Sequence, residues 1–161
     1  MEPLEIVRAW RRDDPRCVAD AKSFWREIGM PDDVAEERAA ELCVVAYLGG
    51  RLAGVSTARL GDFPPLKGRF AHLRCAVSPA ARRKDVAARI IGHTRTVLEA
   101  WAADHVQENL LGMVAILQSG ELREKQREPI WPIYGIDLTL IGYTPRGEQV
   151  RVGWFRHARL D

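Results

Sequence analysis

The sequence predicts a mixed α/β fold, and three patterns support this prediction. Three apolar segments follow one another between residues 42 and 77, with a Gly49-Gly50 pair at the first turn. A long amphipathic helix is predicted from Val86, and two further apolar segments flank a turn at residues 144–147. Strands and helices in this order form layers in which a sheet packs against helices. The 161 residues suit a single domain, which we expect to span residues 1–161.

The N-terminal part is predicted to contain one strand followed by two helices. Residues Leu4–Trp10 form the predicted strand. Asp14 before a proline is typical of a helix start, and apolar residues then recur at helical spacing until Gly29. Pro31 and two aspartates open a second, acidic helix that we expect to end near Glu41.

The central part is predicted to contain three consecutive strands at Leu42–Leu48, Leu52–Leu60 and Arg69–Val77. The Gly49-Gly50 pair favours a tight hairpin turn between the first two strands, because glycine adopts positive φ at little cost. A proline-containing loop, Gly61–Gly68, connects the second strand to the third.

The C-terminal half is predicted to alternate helices and strands. The helix from Val86 carries an apolar stripe at helical spacing, and Leu110–Leu117 is an apolar strand. Residues 119–128 form a predicted charged helix. Tyr134–Tyr143 and Gln149–Phe155 form a predicted terminal hairpin.

Composition and charge narrow the function classes. An apolar fraction of 47% with 29% charged residues is typical of a globular protein, and a net charge of +2 gives no reason to expect nucleic acid as a partner. The C-terminal arginines indicate a solvent-exposed strand face and tail. A polyanion site is the less favoured alternative, because no aromatic residues alternate with them. These arginines are Arg146, Arg151, Arg156 and Arg159.

The cysteines and the N-terminus bear on location. Cys17, Cys43 and Cys75 show neither a metal-ligand spacing nor a disulfide pattern, so we expect no metal site and a reducing, cytoplasmic location. The first residues lack the basic start and apolar run of a signal peptide. No segment has the length of a membrane helix, and we expect no membrane partner.

The most informative segment runs from Cys75 to Ile91 and consists of a strand end, a basic loop and the start of a helix. In such a connection, backbone N–H groups and the positive end of the helix point toward one place, which suits a phosphate. Arg82, Arg83 and Lys84 add positive charge. The loop is therefore predicted to bind the phosphate of a cofactor.

This segment resembles the acetyl-CoA-binding motif of the GNAT (N-acetyltransferase) superfamily. That motif has Arg or Gln, two free positions, Gly, one free position and then Gly or Ala. Arg82 and Ala87 match the outer positions, whereas Asp85 stands where glycine is expected. Glycine allows close approach of the diphosphate and positive φ, while aspartate adds a carboxylate. Alternatively, Asp85 caps the helix that begins at Val86, and the two interpretations are compatible.

The resemblance extends over nearly the whole chain in element order. It implies a central, mostly antiparallel, twisted sheet of about seven strands flanked by about four helices. It also implies an N-acetyltransferase that uses acetyl-CoA as co-substrate and an amine acceptor, small molecule or protein, that the sequence does not identify. The strand end before the motif would present its backbone edge to the pantetheine arm. The implied cofactor-binding residues are Cys75, Ala76, Val77, Arg82, Arg83, Lys84, Asp85, Val86 and Ala87.

The catalytic residues that the resemblance implies are less well matched. The family's base corresponds to Ala71 or Leu73, which are apolar here. His72 is the candidate base, although strand alternation directs it to the opposite face. The tyrosine that protonates the thiolate corresponds to Trp131, which has no suitable proton, so Tyr134 is the candidate acid.

These departures leave a second function open. The chain is alternatively a catalytically inactive GNAT-fold protein that senses CoA or binds another protein. A homodimer formed through an exposed edge strand of the terminal hairpin is a further expectation, by analogy with the fold.

Overall fold

The computed structural model describes residues 3–82, 85–117, 128–131 and 136–160. Its strands are β1 (Leu4–Arg8), β2 (Leu42–Leu48), β3 (Arg51–Phe63), β4 (Gly68–Val77), β5 (Leu110–Leu117), β6 (Ile130–Trp131), β7 (Leu138–Tyr143) and β8 (Gln149–Trp154). Its α-helices are α1 (Pro15–Glu27), α2 (Asp32–Ala39) and α3 (Val86–Asp104). The strands form a sheet in the order β1-β2-β3-β4-β5-β8-β7-β6. The mixed α/β class predicted from the sequence is confirmed.

The sheet is mostly antiparallel, as predicted. The pairs β1–β2, β2–β3, β5–β8, β7–β8 and β6–β7 are antiparallel. β4 and β5 pair in parallel. Parallel neighbours require a crossover connection, and the chain makes it through α3.

The element counts differ slightly from the expectation. The described residues contain eight strands instead of about seven, because Ile130–Trp131 pairs with β7 as a short additional strand. They contain three α-helices instead of about four. The predicted fourth helix, residues 119–128, lies almost entirely outside the described residues.

The predicted boundaries of β2 and β5 are confirmed, whereas others shift. β3 extends to Phe63 instead of ending at Leu60, and Pro64–Leu66 forms a short 3-10 turn. Gly61 and Asp62 are weak strand formers, so pairing within the sheet outweighs their local preference. The final hairpin begins at Leu138, and residues 132–135 of its predicted first strand lie outside the described residues.

The chain divides into two compact units. The first contains residues 1–58 and 75–97, and the second contains residues 59–74 and 98–161. That the whole chain is a single domain stays a prediction.

In the first unit, α1 and α2 pack on β2 and β3. The Oδ1 atom of Asp14 accepts hydrogen bonds from the backbone amides of Arg16 at 3.1 Å and Cys17 at 3.2 Å, so α1 begins as predicted. The chain turns after α1 at Gly29, where φ is 92°. The buried core comprises Ala9, Cys17, Ala21, Phe24, Trp25, Ala35, Leu42, Val45, Tyr47 and Val55.

On the other face of β3, α3 approaches the strand closely. A Cβ atom on Gly54 would lie 2.7 Å from Cδ1 of Ile90 and 2.8 Å from the carbonyl oxygen of Ala76, so only glycine fits. The hydroxyl of Thr94 donates to the carbonyl of Ile90 at 2.7 Å and accepts from the hydroxyl of Ser56 at 2.7 Å. These contacts hold the first half of α3 in place and thereby position the loop that precedes it.

In the second unit, β4, β5 and β8 form a continuous ladder. Phe70 on β4 is opposite Gly112 on β5, which in turn is opposite Trp154 on β8. One face of this ladder carries a buried apolar cluster. Its members and the residues packed against it are Phe70, Leu111, Val114, Val152, Phe63, Leu66, Val150 and Ala158.

Candidate active site

The end of β4 lies beyond its ladder with β5. The parallel pairing runs from Arg69 to Leu73, and β4 itself continues to Val77. Outside a ladder, the backbone N–H and C=O groups of a strand edge are free to bond an extended ligand. Cys75, Ala76 and Val77 belong to this part of β4, as the predicted backbone edge requires.

The loop after β4 starts from a fixed point. The backbone N–H of Ser78 donates to the carbonyl of Ala53 on β3 at 2.7 Å, and the N–H of Ala81 closes a short turn on the carbonyl of Ser78 at 2.9 Å. Ala81 is buried, whereas Arg82, the next residue, is exposed. The guanidinium of Arg82 is therefore accessible to a ligand, while the backbone that carries it is anchored.

Asp85 adopts the left-handed backbone conformation, with φ of 54°. This is the region that favours glycine, and aspartate enters it more readily than most other residues. The carbonyl of Asp85 accepts the first bond of α3 from the N–H of Arg89 at 3.1 Å. Asp85 therefore has the position of a helix cap, but not the extended conformation usual for one. Asp85 thus adopts a backbone conformation that glycine enters at little cost.

His72 on β4 is half-buried and has a defined tautomer. Its Nε2 atom lies 3.2 Å from the carbonyl oxygen of Asp62, and a carbonyl only accepts, so Nε2 carries the proton. Nδ1 is then the atom with a free lone pair. Desolvation lowers the pKa of His72 below its ordinary value, and the guanidiniums of Arg59 and Arg74 lower it further. The imidazole is therefore neutral near pH 7 and able to accept a proton at Nδ1.

His72 faces away from the positions at which the resemblance implies a base. Ala71 and Leu73 are buried, and the β4–β5 ladder is regular from Phe70 to Leu73. The only register shift in this ladder lies before Phe70, so it does not rotate His72 to the other face. The side chains of Ala71 and Leu73 have no titratable group. His72 is consequently the titratable candidate on this part of β4.

Comparison with protein families places these features in a known group. Residues 4–110 match the model of the acetyltransferase (GNAT) family. This chain belongs to the GNAT family. The match contains the whole β4–loop–α3 segment and His72, and it ends at the first residue of β5. No curated protein matches the sequence.

Solved GNAT structures share the fold at low sequence identity. An acetyltransferase of the GNAT family from Streptococcus pneumoniae has a TM-score of 0.56 at 13% identity, over 95% of this chain and 99% of that one. An aminoglycoside 6'-N-acetyltransferase complexed with coenzyme A has a TM-score of 0.57 at 15% identity, over 98% of this chain and 99% of that one. YncA of Salmonella typhimurium, solved with its cofactor acetyl-CoA, has a TM-score of 0.57 at 15% identity, over 98% of each chain. At these identities the likeness shows the fold alone.

The predicted cofactor-binding residues of this GNAT chain differ in which of their groups can contact a cofactor. Val86 is 1% exposed, so its side chain packs in the core and only its N–H can face a ligand. Burial raises the pKa of the Cys75 thiol to about 12, so the thiol stays protonated and is a poor nucleophile. Ala87 is half-buried and small enough to allow close approach. Arg83 and Lys84 lie outside the described residues.

The C-terminal candidates are less informative. Tyr134, the candidate acid, lies outside the described residues. Trp131 is 1% exposed on β6, and its indole Nε1 has no hydrogen-bond partner within the described part of the chain. An indole N–H can donate a hydrogen bond but does not release its proton to a thiolate at physiological pH. Trp131 therefore does not provide the acid that the resemblance implies for this position.

Arg151 corrects one expectation from the sequence. The C-terminal arginines were expected on a solvated face, but Arg151 on β8 is fully buried. Its guanidinium donates to the carbonyl of Leu138 at 3.2 Å and to that of Glu128 at 2.8 Å, and its Nε donates to the side chain of Gln149 at 3.0 Å. Alternation in β8 places Arg151 on the face opposite Val150 and Val152, so no local signal in the sequence identifies its burial.

The first unit also contains a cleft. A cleft of about 820 Å³ is lined by the polar side of α1 and by residues 47–53, 78 and 80–81. The hydroxyl of Tyr47 donates to the carboxylate of Asp20 at 2.7 Å at its wall, and Glu27 lies on the same side of the cleft. The cleft does not include His72.

The described residues also bear on metal binding and on membrane spanning. Among them, no three His, Cys, Asp or Glu side chains are grouped as metal ligands would be. None of their helices combines the length and hydrophobicity needed to cross a membrane.

Proposed function

We propose that this chain is an N-acetyltransferase that binds acetyl-CoA at the loop from Arg82 to Ala87 and transfers the acetyl group to an amine. Membership in the GNAT family supports acyl transfer in general. One observation carries the specific proposal. Asp85 keeps the left-handed backbone at the start of α3, where the family motif has glycine.

The residues present fit an anionic cofactor. The N–H groups in the first turn of an α-helix have no partner within the helix, and the helix dipole adds positive charge there. In this chain these N–H groups belong to Val86, Ala87 and Ala88 at the start of the 19-residue helix α3. Arg82 supplies an exposed guanidinium that can bond phosphate oxygens. Acetyl-CoA, when bound, supplies an activated thioester carbon for attack by the amine.

His72 is the proposed general base. The attacking amine must lose a proton as its nitrogen bonds to the acetyl carbon, and the lone pair on the Nδ1 atom of His72 is the proposed acceptor of that proton. The hydrogen bond from Nε2 to Asp62 holds the ring in the required tautomer. The lowered pKa of His72 keeps it neutral before the reaction.

Tyr134 is the proposed acid that protonates the departing thiolate of CoA. The support for this role is its sequence position close to Trp131, which occupies the family's tyrosine position. A phenol can give up its proton, and an indole cannot. The acceptor is an amine on a small molecule or a protein.

A catalytically inactive protein that senses CoA is the second candidate. Two observations favour it. Asp85 adds an exposed carboxylate beside the phosphate site, and Trp131 replaces the family's acid. Such a protein would bind CoA without consuming acetyl-CoA.

We also propose a reducing, cytoplasmic location. Cys17 and Cys43 are buried and free, and Cys75 is free as well. Buried thiols of this kind are usual in compartments that keep cysteine reduced.

Thermal unfolding with acetyl-CoA, CoA and desulfo-CoA tests the proposal, because a ligand that binds only the folded state raises its stability. We expect a concentration-dependent rise in Tm with all three ligands. Thiol release from acetyl-CoA in the presence of an amine panel then separates the two candidates. Binding with turnover supports the acetyltransferase, binding without turnover supports the sensor, and no rise in Tm at millimolar ligand contradicts both.

A further inference from the structure

The guanidinium of Arg59 and the ring of His72 lie around one point in the second unit. A Cβ atom built on Gly61 would be 3.0 Å from Nη1 of Arg59 and 3.9 Å from Cδ2 of His72. Arg59 is on β3 and His72 on β4, so side chains from two strands lie near the same glycine. The absence of a side chain at Gly61 leaves room for both groups.

Arg74 lies on the same side as His72. It follows His72 by two residues on β4, and side chains two residues apart in a strand share a face at a spacing of about 6.6 Å. The charges of Arg59 and Arg74 both act on the imidazole of His72. Two guanidiniums therefore flank the candidate base.

No carboxylate among the described residues neutralises either guanidinium. Arg59 and Arg74 are exposed, and within the described residues neither has a carboxylate at ion-pair distance. Arg69, also on β4, is by contrast paired with Glu108 at 3.1 Å. Asp62 bonds His72 through its carbonyl, while strand alternation turns its carboxylate to the other side of β3.

Aromatic rings lie next to His72. The ring of Phe63 meets that of His72 edge to face at 6.2 Å and that of Phe70 at 5.7 Å. Phe70 in turn meets Trp154 at 5.3 Å, and Trp154 is 41% exposed. A ligand beside His72 would therefore meet positive charge on one side and an apolar surface on another.

We propose that Arg59 and Arg74 form a carboxylate-binding subsite beside His72, so that the amine acceptor carries a carboxylate near its amine and an apolar side chain. This inference rests on the proposed function. A carboxylate bound by guanidiniums makes charge-assisted, often bidentate hydrogen bonds. Such bonds fix the orientation of the acceptor, and the amine is then directed toward the Nδ1 atom of His72.

A bland explanation is that both arginines are ordinary solvated side chains. In the free protein, however, the two guanidiniums repel the imidazolium form of His72 and do not stabilise its neutral form. A bound carboxylate would offset this repulsion, which an explanation by solvated side chains does not account for. The phosphates of CoA are the other anions that the two guanidiniums could bind, and the experiment separates them from the acceptor.

The test uses two N-acetyl products that differ only in the carboxylate. N-acetyl-L-phenylalanine and N-acetylphenethylamine are titrated into the full-length protein while the ring resonances of His72 are followed by NMR. We expect the first to shift these resonances and raise the pKa of His72, because a nearby anion favours the imidazolium. We expect the second to bind at least about tenfold more weakly, because it lacks a charge-assisted hydrogen bond.

Variants make the test specific. Arg59→Gln and Arg74→Gln are expected to reduce the affinity for N-acetyl-L-phenylalanine to that for N-acetylphenethylamine, and Arg59→Lys is expected to recover part of it. The matched control is Arg26→Gln, which removes an exposed arginine of α1 in the first unit and leaves both affinities unchanged. Far-UV circular dichroism and Tm confirm that each variant is folded.

The outcomes distinguish this proposal from the proposed function. Equal binding of the two products, or an unchanged preference in Arg59→Gln and Arg74→Gln, overturns the subsite even if acetyl-CoA is bound and consumed. The subsite is also overturned if these variants weaken acetyl-CoA and leave the two products unaffected, since the arginines would then serve CoA phosphates. Carboxylate-selective binding without any effect of acetyl-CoA on Tm supports the subsite and contradicts the proposed function.

Discussion

The β4–loop–α3 segment and the C-terminal region after β5 have departed from the GNAT pattern in different ways. In the first, Asp85 stands where the family motif has glycine, and its backbone adopts the left-handed conformation that glycine favours, with α3 starting directly after it. In the second, Trp131 stands where the resemblance implies a tyrosine, and the family match ends at Leu110, before this residue. The first departure leaves a backbone conformation that suits glycine, whereas the second would remove a functional group.

This difference follows from what each region contributes. A phosphate cradle is built from backbone N–H groups and a helix dipole, which nearly any side chain leaves in place. A general acid is a particular atom with a particular proton, and a replacement that lacks this proton ends the function. We therefore expect cofactor binding to tolerate the departure at Asp85 better than proton transfer tolerates the departure at Trp131.

Loss of the proposed base is expected to have the strongest effect on activity. His72→Asn removes the proposed base, and general-base catalysis contributes about 10²–10⁴-fold in rate. We expect kcat to fall within this range while the affinity for acetyl-CoA is unchanged. In the unmodified protein, kcat should rise with pH as His72 loses its proton, with a midpoint below the ordinary histidine pKa because the pKa of His72 is lowered.

The control for this prediction is His93→Asn, which changes an exposed histidine on α3. Its kcat and its pH profile should match those of the unmodified protein. An active His72→Asn variant with an unaltered pH profile would assign the base to another group.

The next effect concerns stability in the C-terminal region. Arg151→Met removes the donors to the carbonyls of Leu138 and Glu128 and leaves these acceptors without their charged partner. We expect the free energy of unfolding to fall by about 3 kcal/mol, as measured by urea denaturation. Arg156→Met, at an exposed position, should change it by less than about 0.5 kcal/mol. Equal effects of the two substitutions would show that Arg151 contributes no more than a surface arginine.

A smaller effect concerns the cofactor side. Arg82→Ala removes an exposed guanidinium from the loop. We expect the Kd for acetyl-CoA to rise about tenfold, because one charge-assisted hydrogen bond is lost. Isothermal titration calorimetry measures this Kd. The Kd for desulfo-CoA should rise by the same factor, because desulfo-CoA has the same phosphates. An unchanged Kd would place the phosphates away from Arg82.

The sequence predicts much of the fold because its signals are local. The Gly49-Gly50 turn, the Asp14 cap and the apolar run of β5 each determine their element within a few residues. The extension of β3 through Gly61 depends on pairing with neighbouring strands, which local preference does not contain. The burial of Arg151 likewise depends on carbonyls that lie far from it along the chain.

The candidate site is predictable to a similar extent. The phosphate loop follows from a strand, a basic loop and a helix that are adjacent in the sequence. The left-handed conformation of Asp85 is not predicted by the sequence, since aspartate before a helix favours an extended cap. The grouping of Arg59, His72 and Arg74 needs the fold, because β3 and β4 bring together residues that no spacing rule connects.

We expect the backbone at Asp85 to preserve the acetyl-CoA site in spite of the aspartate side chain. The most direct measurement is calorimetric titration of acetyl-CoA into the unmodified protein and into Asp85→Gly, which keeps positive φ and removes the carboxylate. We expect both proteins to bind, with Asp85→Gly tighter by a few-fold, on the order of the loss of one weak charge repulsion. Binding by Asp85→Gly alone would contradict the claim, because the aspartate would then have abolished the site.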